Sequence, residues 1–379
     1  MDHKILVVDD VWENIYIVER ILKKEGYYVK TANSAALALD MVHKEKFDLI
    51  LLDLQMPEMD GFTVCKILKA DSRFSGIPVI FLTATNEPQS ISKGFKIGGS
   101  DYLTKPFNPS ELIARIHNHL ELKEKREGQK REIRLARQIQ EKLLPINLEE
   151  IKGLQFSVKY LPYGELSGDI YDIAEIFPGY IRIFLADATG HGISAALVTM
   201  LIKSEYETIK SSFASPAKTL MELNTRFIQN YINLNEIFPA FILDIDLNTM
   251  KACYASAGHS AQIALLNCFE GFLEHTGKII GVYKNNIYQE REFELQIGDK
   301  FLLFTDGLYE QFNPDKMEYG LITLLQLIQE KRRLRTSELL EVIFKDIQEF
   351  IGPDNKIQEH DDITVISLEI TKDKLRGTV

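Results

Sequence analysis

Aspartates recur where the apolar runs of this 379-residue chain end. In the first third, Asp9 and Asp10 follow "KILVV", Asp53 closes "LILLD", Thr83 closes "VIFLT" and Lys105 follows "DYLT". A single strand-end aspartate is an ordinary turn former. Three carboxylates brought to one edge of a sheet repel unless a cation joins them, and an all-oxygen set with room for water suits Mg²⁺. Lys105 then offers a positive donor to an incoming phosphoryl group and Thr83 a hydroxyl. Asp53, alone on the central strand, is the natural nucleophile.

The same pattern returns further on. "SGDIYD" carries Asp169 and Asp172, "ADATGHG" carries Asp187 and His191, "FTDGLYE" carries Asp306, and "HDDIT" carries Asp361 and Asp362. If these turns converge they form a nest of carboxylates that stays ionised only around two divalent cations. Such a pair clamps a phosphate and lowers the pKa of a water, so a phosphomonoester can be hydrolysed without a protein nucleophile. Gly168, Gly190 and Gly307 leave room for backbone and water. Other chemistries fit less well. No serine sits in a G-x-S-x-G elbow. His191 and His259 lack the paired spacing and thiols of a zinc site. "IYD" replaces the acidic end that a GGDEF-type cyclase requires.

The elements that would position these residues differ between the two parts. Over residues 1–120, five short β-branched runs alternate with segments of helical period, which implies parallel strands, crossovers and chemistry at the carboxyl ends of the strands. From Asn108 a helix starts with a good cap and Pro109 at its first position, and it is expected to reach Leu144 before Pro145. Ten of the fourteen residues 121–134 are charged and Gly128 interrupts them, whereas Leu135, Ile139 and Leu143 recur at helical spacing. That stretch is either a solvated linker or a short two-stranded coiled coil. Beyond residue 149, runs such as "LQFSVKYL", "YIRIFLADA", "FPAFILDIDL", "KACYASAG", "YQEREFELQ", "KFLLFTDG" and "DDITVISLEI" alternate as antiparallel strands do, with helical stretches near 193–232 and 318–351.

Residues 1 to about 120 resemble the receiver domain of two-component response regulators, on "VVDD", "LLDLQMPEMDG", "LTA" and "YLTKPF". The resemblance implies that Asp53 accepts phosphate from a sensor histidine kinase and that Asp9, Asp10 and Asp53 hold Mg²⁺. It further implies that Tyr102 switches with Thr83, that Lys105 completes the site, and that the Lys105–Pro106 bond is cis. Residues 150–370 resemble the PPM metal-dependent Ser/Thr phosphatases, in particular the bacterial SpoIIE and RsbU group, on "SGDIYD", "ADATGHG", "SAGH", "FTDGLYE" and "DDIT". This second resemblance implies two Mn²⁺ or Mg²⁺ ions. Asp187 would be shared by both, the Ala188 carbonyl and Asp169 would assist, and Asp306 and Asp361 would complete one shell. Asp172 and Asp362 lie beside these ligands. His191 and His259 would orient or protonate the leaving group, or serve only the shape of tight turns. Ser167 stands where many members have Gly, "GHSAQ" lacks a common proline and Tyr309 replaces a usual Thr. No proposed ligand is lost by these departures.

The expected architecture is therefore a doubly wound, parallel five-stranded α/β receiver (1–120), a helical, coiled-coil linker (121–148), an α+β antiparallel β-sandwich flanked by helices (149–371), and a tail (372–379). The expected function is a response regulator controlling a protein phosphatase. Its substrate in the resembled group is an anti-sigma-factor antagonist of the STAS type, and the linker helix, through "LARQIQEKLLP", would join a homodimer. A module that binds a partner without turning it over is the alternative. Composition sets outer bounds: 45% of residues are hydrophobic and 26% charged, and the three cysteines have no metal or redox spacing. No run suits a membrane span or a signal peptide, so a cytoplasmic protein is expected. Net charge is −2 over residues 1–120, +3 over 121–148 and −12 over 149–379, a poor balance for binding nucleic acid.

Overall fold

The structure is a computed structural model and describes residues 3–84, 88–106, 108–145, 151–190, 192–353, 355, 357 and 361–371. The chain divides into two compact units, Met1–Glu132 and Ile133–Val379.

In the first unit β1 (Lys4–Val8), β2 (Tyr28–Ala32), β3 (Leu49–Asp53), β4 (Val79–Thr83) and β5 (Asp101–Thr104) alternate with α1 (Trp12–Lys24), α2 (Ala35–Lys44), α3 (Gly61–Ala70), α4 (Pro88–Lys96) and the start of α5 (Pro109–Lys142), whose last residues, from Ile133, belong to the second unit. The five strands are parallel in the order β2-β1-β3-β4-β5. Both faces are covered, which is why these strands read as unbroken apolar runs. Leu6, Val8, Ile50 and Leu52 pack against α2 and α3, and Ile5, Val7, Leu49 and Leu51 against α1 and α5. The Asn108 carboxamide accepts from Ser110 N at 2.8 Å at the start of α5. As expected, α5 runs on without a break at Gly128: one glycine costs about 1 kcal/mol of helix propensity, too little to break a helix of 34 residues.

The second unit contains β6 (Leu154–Leu161), β7 (Asp169–Phe177), β8 (Tyr180–Asp187), α6 (Ile193–Ile209), α7 (Pro216–Tyr231), β9 (Ala240–Asp246), β10 (Lys251–Ala257), β11 (Gln262–Leu265), β12 (Glu270–Leu273), β13 (Arg291–Glu294), β14 (Lys300–Phe304), α8 (Gly320–Glu330), α9 (Thr336–Ile351) and β15 (Ile363–Ile370). The sequence reading had not separated β7, β11 or β12. Two antiparallel sheets result, ordered β13-β10-β9-β8-β7 and β12-β11-β14-β15-β6.

Strand alternation assigns every side chain to a layer. On β8 the odd residues Ile181, Ile183 and Leu185 enter the core between the sheets, where they meet Phe301, Leu303, Ile366 and Leu368. The even residues Phe184 and Ala186 face α6 and α7, packing with Ile202, Tyr206 and Phe227. The outer face of the second sheet, with Leu302, Phe304 and Val365, packs on α8 and α9. The helical layer is also tied by charge. Arg182, fully buried on the even face, donates Nε to Asp244 at 2.7 Å, and its Nη1 donates to the Lys210 carbonyl at 2.7 Å and to Thr219 Oγ1 at 2.8 Å. This guanidinium holds the α6–α7 turn to the sheet.

Removing one member of such a buried pair leaves an uncompensated charge, so Asp244→Ala is expected to destabilise the second unit by about 3–5 kcal/mol. Calorimetry should show that transition moving while the first unit's stays in place. The double variant Arg182→Met/Asp244→Leu should recover most of the loss.

Candidate functional site

At the carboxyl edge of the parallel sheet, Asp9, Asp10 and Asp53 bring one ligand oxygen each within 4.8 Å of one another, the arrangement that an oxygen-ligated cation requires. Lys105 Nζ donates to Asp9 at 2.6 Å and also to Asp53. Burial pushes the Asp53 carboxyl above its usual range and the Asp9 charge adds to this, while Lys105 pulls the other way. Burial works against the Lys105 ammonium, but its bonds to Asp53 and Asp9 prevail and raise it. Asp9 is fixed in turn by Val11 N at 2.9 Å and Asn14 Nδ2 at 3.0 Å. Thr83 is buried at the end of β4. Tyr102 stands on β5 opposite Phe81, its ring edge-on to Phe95 with centroids 6.1 Å apart. The Lys105–Pro106 bond is cis, as expected.

In the second unit the acid-bearing turns meet at one end of the sandwich. Asp169 at the start of β7 and Asp187 at the end of β8 are register partners. Both are odd-numbered and so fall on the inner face. From the opposite sheet Thr305 and Thr364, two residues from the inward Leu303 and Ile366, donate their hydroxyls to Asp169 Oδ2 at 2.8 and 2.6 Å. Asp306 follows Thr305, and Asp361 and Asp362 precede β15. Asp362 accepts from Tyr163 N and Gly168 N, both at 2.7 Å, and donates its own N–H to Asp361 Oδ1 at 2.8 Å. Asp187 is pushed up to about 10, by burial first and then by the charges of Asp169, Asp306, Asp361 and Asp362. Burial also raises Asp169, with Asp362 and Asp306 adding, and raises Asp306, with Asp361 adding. Four separate turns therefore share one electrostatic site.

The donor set fits divalent cations. Carboxylates that raise one another's pKa gain most from an added positive charge. The backbone leaves a cradle as well: a Cβ on Gly168 would lie 2.8 Å from the Gly190 carbonyl oxygen and 3.1 Å from that of Ala188. Gly190 itself has φ of 88°, the left-handed region that favours glycine. Among the described residues these acids do not close into a three-oxygen group as tight as that of Asp9, Asp10 and Asp53.

One sequence candidate lies on another face, one is buried beside β11, and one lies outside the described residues. Asp172, three positions beyond Asp169, falls on the opposite face of β7 and pairs with Lys203 at 2.7 Å and Lys210 at 3.2 Å in the helical layer. His259 is buried next to the start of β11. Its Nδ1 lies 3.1 Å from Gln262 Nε2, and its Nε2 has no hydrogen-bond partner among the described residues. His191 lies outside the described residues. The sequence reading missed Thr305 and Thr364, although the first directly precedes Asp306 in "FTDG" and the second stands two positions after Asp362 in "DDIT". It also missed Gln140, whose side chain bonds the backbone of Ser167.

Burial holds the His259 imidazole down to about 4, so it stays neutral at pH 7. Between pH 6.5 and 4 the unfolded chain takes up a proton that the folded chain refuses. The corresponding stability is therefore full above pH 6.5 and declines towards pH 4, by roughly 3 kcal/mol in all. Urea midpoints compared at pH 7 and 4.5 should show a shallower decline in His259→Leu than in the parent chain.

Comparisons with known proteins cover both units. Residues 178–371, just over half of the chain, match the family Stage II sporulation protein E (SpoIIE), and residues 5–117 match the response regulator receiver domain. The chain is 44% identical over 117 residues to the transcriptional regulatory protein YvrH of Bacillus subtilis, covering 31% of this chain and 48% of that protein. It is 43% identical over 118 residues to the response regulator PleD of Caulobacter vibrioides, covering 31% and 26%. It thus spans less than half the length of either of these curated relatives. The SiaA-PP2C domain of Pseudomonas aeruginosa superposes with a TM-score of 0.58 at 22% identity, over 64% of this chain and 98% of its own, a likeness of fold. Among the described residues no helix is long and apolar enough to cross a membrane. The chain belongs to the SpoIIE family, its PPM phosphatase domain following a response regulator receiver domain.

Proposed function

We propose that this chain is a response regulator in which phosphorylation of Asp53 by a sensor histidine kinase controls the dephosphorylation of phosphoserine or phosphothreonine in a partner protein. The observation that carries the reading is the convergence of Asp169, Asp187, Asp306 and Asp361 from four turns, with Asp187 pushed up to about 10 by burial and by the neighbouring acids. PPM phosphatases and receiver domains generally use divalent metals. Two Mn²⁺ or Mg²⁺ ions held by Asp169, Asp187, the Ala188 carbonyl, Asp306 and Asp361 would supply Lewis acidity and a nucleophilic water at neutral pH.

The remaining work belongs to the chain. Thr305 and Thr364 orient Asp169, and Asp362 secures the turn before it through Gly168 N and Tyr163 N. In the receiver, Asp9, Asp10 and Asp53 would hold one Mg²⁺. Asp53 attacks phosphorus, Lys105 stabilises the transferred group, and Thr83 and Tyr102 respond to it. The substrate that fits the resembled group is a phosphorylated STAS-type anti-sigma-factor antagonist in the cytoplasm, which connects the protein to partner switching. A homodimer joined through α5 is supported by Leu135 and Ile139, exposed one turn apart with 58% and 48% of their surface accessible.

Hydrolysis of a generic aryl phosphate tests the reading. It should require Mn²⁺, and Asp187→Ala and Asp306→Asn should lower it by more than the about 10- to 100-fold that follows loss of a ligand's outer partner. A chain that only binds its partner would show no metal-dependent rate. With acetyl phosphate as donor, both the rate and the sedimentation coefficient should change in the parent chain and stay constant in Asp53→Asn.

A further inference from the structure

The last turns of α5 are mostly exposed up to Ile139, and then Gln140 is only 2% exposed. Among the described residues its side-chain hydrogen bonds all meet at one buried spot. Its Nε2 donates to the Ser167 carbonyl at 2.7 Å and to Thr199 Oγ1 on α6 at 3.0 Å, while its Oε1 accepts from Ser167 N at 3.1 Å. The orientation of the amide is settled by its surroundings: turned over, it would place NH₂ against the Ser167 N–H.

Ser167 is fully buried, and Gln140 pairs its N–H and C=O together, as a neighbouring strand would. What Ser167 carries onward bears on the site. Its Oγ accepts from Asp169 N at 3.1 Å, and the next residue, Gly168, accepts from Ala188 N at 2.8 Å. One side chain of α5 therefore sets the turn that presents Asp169 and the Gly168 cradle.

We propose that Gln140 is a positioning residue for the metal-binding turn, fixing the backbone of Ser167 so that Asp169 and Asp187 hold their relative placement. The proposal rests on the reading of Asp169 and Asp187 as metal ligands. It places control of that turn on α5 itself. Outer partners of metal ligands commonly change affinity by about 10- to 100-fold when they are removed, and the same range is expected here.

The test uses the full chain and Mn²⁺ titrations by calorimetry, with the isotherm of Asp187→Ala subtracted so that binding at the receiver cancels. Gln140→Met should weaken the Asp187-dependent binding by about 10- to 100-fold and raise the Mn²⁺ needed for half-maximal aryl phosphate hydrolysis in proportion. At saturating Mn²⁺ its KM for the aryl phosphate should stay within about twofold of the parent's, because the turn is restored once the metal is bound. Thr199→Val removes only the bond to α6 and should leave Mn²⁺ affinity within about threefold, as expected of a group that does not touch the turn. If Gln140→Met does not fold, Gln140→Glu takes its place, since it keeps the acceptor for Ser167 N and loses the donor to Ser167 O. Folded Gln140 variants that bind Mn²⁺ as tightly as the parent, or an equal loss in Thr199→Val, would overturn the proposal and leave the metal site standing. If the parent and Asp187→Ala gave identical isotherms, the metal reading would fall and the proposal with it.

Discussion

Like-charged carboxylates cannot be gathered in a buried place without something to answer their repulsion, and both units of this chain are arranged around that constraint. In the receiver the answer within the chain is Lys105, whose ammonium lies between Asp9 and Asp53. In the phosphatase unit no lysine among the described residues pairs with Asp169, Asp187, Asp306, Asp361 or Asp362. Asp169 leans on two threonine hydroxyls, Asp362 on two backbone N–H groups, and Asp187 is lifted towards protonation by its neighbours. The first arrangement is close to self-sufficient. The second is electrostatically unfinished, and this is the physical sense in which it is suited to divalent cations.

The two-residue period of a β-strand decides which acids take part. Asp169 shares the inner face of β7 with Tyr171 and Ile173, so it meets Thr305 and Thr364 across the sandwich. Asp172 sits in the same sequence motif but falls on the outer face, where Lys203 and Lys210 neutralise it against the helices. The motif thus contains one acid for the site and one for the scaffold. On the same face as Asp172, Arg182 and Asp244 anchor the α6–α7 turn, so the charge on the helical side of the sheet is structural throughout.

This also explains what could be read from the sequence. The five receiver strands and their polar ends were legible because doubly buried parallel strands are continuous apolar runs ending in polar residues, whereas the cis Lys105–Pro106 bond was expected only from the resemblance to receiver domains. The long strands of the sandwich were legible from alternation. β11 and β12, with four residues each, are too short to show a period, and β7 was hidden because its first residues had been taken for a turn. The separation of Asp169 from Asp172 needed the strand before its parity could be applied. Gln140 gave no signal at all: one glutamine in a charged helix is ordinary until tertiary structure buries it, and propensity is silent about such contacts.

The two turns that carry the central acids are held very differently. The turn 167–169 is tied to α5 through Gln140, to the β15 side through Asp362 and to the opposite sheet through the threonines. The turn after Asp187 has fewer and longer ties among the described residues: Asp187 N reaches the Pro239 carbonyl at 3.3 Å, and Thr189 Oγ1 reaches Glu236 and the Ile237 carbonyl, each at 3.3 Å. It also passes through two glycines at positive φ before α6 begins. Ala188 N, bonded to the Gly168 carbonyl at 2.8 Å, is the short link between the two turns. Among the described residues the site is therefore held by more and shorter bonds at the turn 167–169 than at the turn after Asp187. Any displacement of α5 would act first on the turn 167–169, and from there it would reach Asp187 through the Gly168–Ala188 bond and the pairing of β7 with β8.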